Sequence, residues 1–176
     1  LLVYVKPAPE AVKARHLDGS AYLDFPVNQT AIHPDYRNNL AELKKIQQTV
    51  EAVKNDPYAT ITSLSIKGYA SPEGTYKGNA YLAENRAKAL LNYVKDRYDL
   101  SGVELSVDFE PEDWEGLEAA VETGNLPDKE ELLAIIRADE PADWDAREWK
   151  LKALNGGTSY KVLLRDVYPA LRHSDY

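Results

Sequence analysis

The sequence predicts a layered α/β sandwich, a mixed sheet with helices packed on it in a single domain, and three observations point there. Apolar residues recur with period two in some stretches of the first 110 positions and at spacings of three and four in the stretches between them, so strands alternate with helices. The chain has 176 residues, one domain's length, and 44% of them are hydrophobic. Roughly two-thirds of the unfolded surface of a chain this size is buried on folding, which is enough to hold it without disulfides or a structural metal. Since Cys is absent, bridges, thiolate catalysis and Cys-type zinc sites are all excluded.

Residues 1–6 and 21–25 read as short strands, with Pro7, Pro9 and Pro26 punctuating the loops around them. From Asp35 the period changes. Leu40, Leu43, Ile46, Val50 and Val53 place one apolar stripe along a helix that Asn55 and Pro57 end. Residues 60–68 alternate Thr62, Leu64 and Ile66 against Ser63, Ser65 and Lys67, a strand with one wetter face. After a loop over 69–78, a helix is expected over 79–98 on the stripe Ala83, Ala87, Leu90 and Val94. Val103, Leu105, Val107 and Phe109 then alternate with acids and Ser106 in a third strand. Beyond it, Pro111 to Glu115 is echoed by Pro141 to Asp145. In each, a proline at the first turn is followed by carboxylates near a helix's positive end, so two similar helix starts are expected, each with a Trp for the core. Gly124 and the Gly156-Gly157 pair end helices, and a last helix runs over 159–167 before Pro169.

The net charge of −8 is unevenly placed. Between Glu104 and Glu148 sixteen acids face three bases, which gives −13 there and leaves +5 for the rest, so an acidic segment and a mildly basic body are expected to do different jobs. A pI near 4.9 argues against nucleic acid and anionic lipid as partners, because both need a positive surface. No stretch is apolar and long enough to span a bilayer, so no direct membrane insertion is expected. Translation starts with Met and the chain has none, which predicts a processed or excised piece of an exported protein.

Enzyme motifs are missing. His16, His33 and His173 are isolated, no Gly-Lys-Ser or Gly-Lys-Thr closes a glycine-rich loop, and Pro72 stands where a nucleophile elbow needs glycine. The acids could form a catalytic dyad, with Asp113, Glu115, Asp143 and Asp145 as candidates, but carboxylates on amphipathic helices usually form solvated faces. The acidic segment also lacks the spacing of a Ca²⁺ loop. The expectation is therefore no catalytic residue, no metal and no cofactor. What remains is the turn from the second strand into its helix. Ligands of open α/β sheets bind outside strand carboxyl ends, Gly68 and Gly74 allow close backbone approach, and Asn79 can cap the helix and leave amides facing an anion. Arg86, one turn past Leu82, borders the buried stripe and can offer its planar fork to a carboxylate.

The run Ile66-Lys67-Gly68-Tyr69-Ala70-Ser71-Pro72-Glu73-Gly74, followed by Asn79, Leu82, Arg86 and Ala87, resembles the OmpA-like C-terminal domain, which binds peptidoglycan in the Gram-negative periplasm. The family pattern is a strand ending in Gly, then an aromatic or His, Thr and Asp, a Gly turn, and Asn-x-x-Leu-Ser-x-x-Arg-Ala. The resemblance covers residues 21–109, about half of the chain, and the final helix over 159–172, whose end Tyr168-Pro169-Ala170-Leu171-Arg172 is similar to the family's last helix. It implies an OmpA-like β-α-β-α-β core with a mixed sheet, a helical insertion over 111–157, and a closing strand cut off near the chain's end. It also implies a ligand site of Tyr69, Ser71, Glu73, Asn79 and Arg86. Arg86 matches the family arginine that holds the carboxylate of a stem-peptide diamino acid, and Asn79 matches the residue that fixes the loop. Ser71 stands where the family has the Asp that holds the ammonium group, and losing a charge-assisted bond weakens a contact by roughly 1.5–3 kcal/mol. Glu73 could supply that charge from another direction.

The functional expectation is a non-catalytic cell-envelope module, periplasmic or outer-membrane-associated, that tethers an outer-membrane or surface protein to the peptidoglycan stem peptide. The alternative is an OmpA-like fold that has lost peptidoglycan and serves as a structural or interaction domain for other envelope or fimbrial proteins.

Overall fold

A computed structural model describes residues 13–26, 28–138 and 143–176 of the chain, and the strand expected over 1–6 lies outside them. In chain order the elements are β1 (Ser20–Ala21), α1 (Asn39–Lys54), β2 (Ser63–Tyr69), α2 (Tyr76–Lys95) and β3 (Glu104–Glu110). Three helices follow, α3 (Trp114–Thr123), α4 (Lys129–Ile136) and α5 (Trp144–Ala153). After a short 3₁₀ turn at Leu154–Gly157 come α6 (Thr158–Val162), a π turn at Leu163–Val167, α7 (Tyr168–Leu171) and β4 (Ser174–Asp175). The protein is thus mixed α/β, with a four-stranded mixed sheet in the order β1-β4-β2-β3.

The two alternating runs form a parallel pair, with Ile66 opposite Val107 and Gly68 opposite Phe109. Parallel neighbours need a crossover, and α2 supplies it, laying Ala83, Ala87, Leu90 and Val94 on both strands. Helix α1 adds Leu43, Ile46 and Val50 to the same core. β4 is antiparallel to both of its neighbours, pairing Ser174 with Ala21 on one side and Gly68 on the other. The closing strand is therefore present as a two-residue rung, where the resemblance implied that it was cut off.

Two expectations in the first third are corrected by polar contacts from α1. The strand expected over 21–25 pairs only as far as Ala21, because the next free amides are taken by side chains. Glu42 Oε2 accepts from the Tyr22 amide at 3.1 Å, and Asn39 Oδ1 accepts from that of Asp24 at 2.8 Å. The Asn39 amide group also donates to the carbonyls of Asp24 and His33. These jobs bury Asn39 and Glu42 and turn Leu40 outward, 52% exposed, so Leu40 leaves the expected stripe. The last helical run passes the 159–167 read from the residues and ends at Leu171, close to the 159–172 that the resemblance implied, because the wider turn at Leu163–Val167 accommodates Pro169, a residue with no amide to donate.

The helices after β3 form a second core of their own. Trp114, Leu117, Val121, Leu132, Ile136 and Leu151 pack with Leu163, Val167, Tyr168 and Leu171 of the closing helices. Helices do begin at both segments, but aspartates cap them, Asp113 accepting from the Gly116 amide and Asp143 from that of Ala146; Pro111 precedes its cap instead of standing in the first turn, and Pro141 lies outside the described residues. The two tryptophans differ in burial. Trp114 is buried and Trp144 half-buried, and their rings stack at 5.9 Å. Among the described residues no helix is long and apolar enough to cross a membrane.

Gly68 has a packing role. A Cβ on it would lie 2.5 Å from the Ala83 carbonyl oxygen and 2.9 Å from the Ala87 Cβ, so its bareness lets β2 touch the backbone of α2 instead of opening toward a ligand. Gly68→Ala is expected to cost about 1–3 kcal/mol by overpacking, seen as a lower urea midpoint with an unchanged slope.

Candidate functional site

The segment between β2 and α2 is held by residues that follow β3. Ala70, Ser71 and Pro72 are buried, and Gly74 takes a left-handed φ of +97° that favours glycine. Thr75, not Asn79, caps α2, accepting from the Gly78 amide, so the helix starts three residues before the expected position. Asn79 is consequently inside the first turn and buried, and its Nδ2 donates to Glu112 Oε1 at 3.0 Å. It still fixes the loop, but the amides of Tyr76, Gly78 and Asn79 are already taken by Asp145 and Thr75. The other Glu112 oxygen accepts from Trp114 Nε1 at 2.9 Å. From α5, Glu148 Oε1 accepts from the Gly74 amide and Asp145 Oδ1 from the Tyr76 amide, both at 2.9 Å. Lys152 and the Tyr160 hydroxyl complete the surroundings of Glu148. The acidic segment therefore shapes the loop directly, which corrects the expected division of labour between segment and body.

Beside this loop, at the carboxyl end of β2, Leu23, Phe25, Tyr69, Arg86, Arg172, His173 and Ser174 line a small notch. Arg86 is half-buried. Its guanidinium lies 4.7 Å from the centre of the Phe25 ring, and its Nε donates to the Gln29 carbonyl at 3.3 Å. No carboxylate pairs with it among the described residues. Burial, and next the like charge of Arg172, pull its pKa down from the ordinary value to about 10, so it is still cationic at neutral pH. The Tyr69 ring stacks on His173 at 4.3 Å, nearly parallel, and the Lys67 ammonium lies 5.0 Å from the centre of the same tyrosine ring.

The five expected ligand residues divide into groups. Tyr69 and Arg86 line the notch. Ser71 and Glu73 reach it only through Arg172, whose Nε donates to Ser71 Oγ at 3.1 Å and whose terminal nitrogen pairs with Glu73 Oε2 at 2.8 Å. Asn79 lies outside the notch, under the loop. Arg172, His173 and Phe25 are site residues that the sequence reading misses. The signal for Arg172 and His173 is the closing strand: once Ser174 pairs antiparallel with Gly68, the preceding residues must lie beside Tyr69 and its successors, as the Tyr69 amide bonded to the His173 carbonyl shows.

The carboxylates raised as a possible dyad have other occupations. Asp113 and Asp143 cap helices, Asp145 holds the Tyr76 amide, and Glu115 is exposed. Among the described residues no group of three or more His, Asp or Glu is placed to hold a metal ion. No known family model, curated protein or solved structure matches the chain.

The Glu112 carboxyl is pushed above the usual carboxylate range, chiefly by burial, against the opposing pull of its bonds from Asn79 and Trp114. Such a group binds its proton more readily folded than unfolded, so its contribution to stability falls as pH rises from the ordinary Glu value through the raised one. Relative to Glu112→Gln, the wild type is expected to lose stability across that window, measured as urea midpoints between acidic and neutral pH. A difference independent of pH would remove the assignment.

Proposed function

We propose that the chain is a non-catalytic binding module of the Gram-negative envelope, periplasmic or outer-membrane-associated, that tethers its parent protein to peptidoglycan through the stem peptide. The observation that carries this reading is Arg86. It is a guanidinium with no acidic partner among the described residues, steadied on Phe25 at the strand ends where open α/β sheets take ligands, at the position that matches the carboxylate-holding arginine of OmpA-like domains. The β-α-β-α-β order, the mixed sheet and the return of the last helix into a closing strand support the same OmpA-like reading.

One observation favours a second reading. Arg172 occupies Ser71 and Glu73, the two residues that could have met an ammonium group. A fold that has lost the ligand, and works as a structural or interaction domain with other envelope or fimbrial proteins, would tolerate that arrangement.

Co-sedimentation with purified peptidoglycan separates the two. The wild type is expected to pellet with it, and Arg86→Ala to bind about tenfold or more weakly, the equivalent of one charge-assisted contact. A wild-type chain that stays in the supernatant favours the second reading.

A further inference from the structure

The backbone at the outer edge of the sheet is laid out for pairing. β3 is the outermost strand, with β2 on one side and no strand on the other among the described residues. Parallel strands turn alternate residues toward the partner. The Glu104 amide donates to the Thr62 carbonyl and the Ala70 amide to the Glu110 carbonyl, so Glu104, Ser106, Asp108 and Glu110 are the residues that bond to β2. Leu105, Val107 and Phe109 therefore point their amides and carbonyls outward. Asp108 Oδ1 takes the Phe109 amide at 2.8 Å. The amides and carbonyls of Leu105 and Val107 stay unpaired among the described residues, at the spacing that a neighbouring strand matches. Edge strands are ordinarily blunted by shortness, a proline or a bulge. β3 has seven residues in unbroken register and no proline.

The side chains specify what fits there. Glu104, Ser106, Asp108 and Glu110 stand on the open face, while Leu105, Val107 and Phe109, on the helix side, are half-buried at the rim of the core. Lys67 offsets Glu110 at 3.7 Å, and no cation pairs with Glu104 or Asp108 among the described residues. The open face continues into a trough of about 670 Å³, where Asp18, Asp108 and Asp175 face the single cation Lys67. Other bases lie elsewhere: Lys13 and Arg15 precede β1 at the opposite edge, and Lys88 and Lys95 belong to α2, across the sheet. A second copy is a poor occupant. Paired antiparallel about Val107, it would set Glu104 against Glu110, and like charges opposite each other destabilise a sheet. We propose that the β3 edge docks an extended segment of a partner protein in which basic and aliphatic side chains alternate, adding one strand to the sheet. The basic residues lie beside Glu104 and Asp108, and the aliphatic ones extend the row of Leu105, Val107 and Phe109. No β3 residue lines the notch, so this surface is independent of the peptidoglycan reading.

Amide exchange and chemical shifts of the full ¹⁵N-labelled chain, read by NMR, test this with an N-acetylated, C-amidated peptide of sequence Lys-Val-Lys-Val-Lys-Val-Lys. In the chain alone the Leu105 and Val107 amides are expected to exchange fast, while those of Ser106 and Asp108, bonded to β2, are protected. The peptide is expected to slow exchange at Leu105 and Val107 and to shift their signals. A Glu-Val peptide of the same length leaves them unmoved. So does the Lys-Val peptide N-methylated at every backbone amide, which keeps the charge and loses the donors. Glu104→Lys/Asp108→Lys, at two exposed positions, is expected to weaken the Lys-Val peptide about fivefold or more and to let the Glu-Val peptide bind. Slow exchange at Leu105 and Val107 in the dilute chain alone means that its own residues cover the edge, and protection that grows with protein concentration means that a second copy does. Either result overturns the proposal. So does a Lys-Val peptide that leaves both signals unmoved at millimolar concentration, or that binds as well when N-methylated.

Discussion

Three acidic contacts from the residues after β3 hold the β2 to α2 segment in place. Glu148 takes the amide of Gly74, Asp145 that of Tyr76, and Glu112 the side chain of Asn79. A turn that reverses after a left-handed glycine leaves amides pointing away from any ladder, and here side-chain carboxylates take them. Carboxylates are strong acceptors for them, stronger than neutral oxygens. The arrangement has a cost, since Glu112 and Glu148 are buried acids, and the donors each receives among the described residues offset it only in part at Glu112, whose carboxyl stays raised. Glu112 has two and Glu148 three. The notch inherits its shape from this, because the same turn places Ser71 and Glu73 where Arg172 reaches them.

Charge complementarity in this protein consequently runs through the backbone as much as through ion pairs. The acidic stretch of −13 meets the body of +5 partly by accepting main-chain amides, Gly74 on Glu148 and Tyr76 on Asp145, while Arg137 pairs with Glu118 and Glu122 inside the stretch itself. Within the notch the balance reverses. There two guanidiniums lie close enough for one to depress the pKa of the other, and only one of them has an acid among the described residues.

Much of the scaffold was legible in the sequence because its signals are local. Period-two alternation located β2 and β3, three-and-four spacing located α1 and α2, and the two Pro-x-Asp-Trp segments marked where helices begin, though not that aspartates cap them. The failures come from contacts across long separations. Nothing near Leu40 says that Asn39 and Glu42 face inward, because their partners are the amides of Tyr22 and Asp24. Thr75 wins the cap from Asn79 because Glu112, 33 residues on, claims the asparagine side chain. In the candidate site, Arg86 was visible from its place beside the stripe of α2. Arg172 was not, since its contact with Ser71 spans 101 positions and depends on a strand of two residues.

That two-residue strand has an architectural consequence. β1 and β2 never pair with each other, and β4 lies between them as the one rung joining the edge near residue 20 to the parallel pair. The backbone of Gly19 and Tyr176, bonded in both directions at 2.8 Å, extends that rung by one step. The sheet is thus stitched shut by residues drawn from opposite ends of the described chain. Whatever displaces residues 174–176 separates the first strand from the other two and, in the same stroke, withdraws His173 and Arg172 from the notch, so sheet integrity and site composition are one property of this fold.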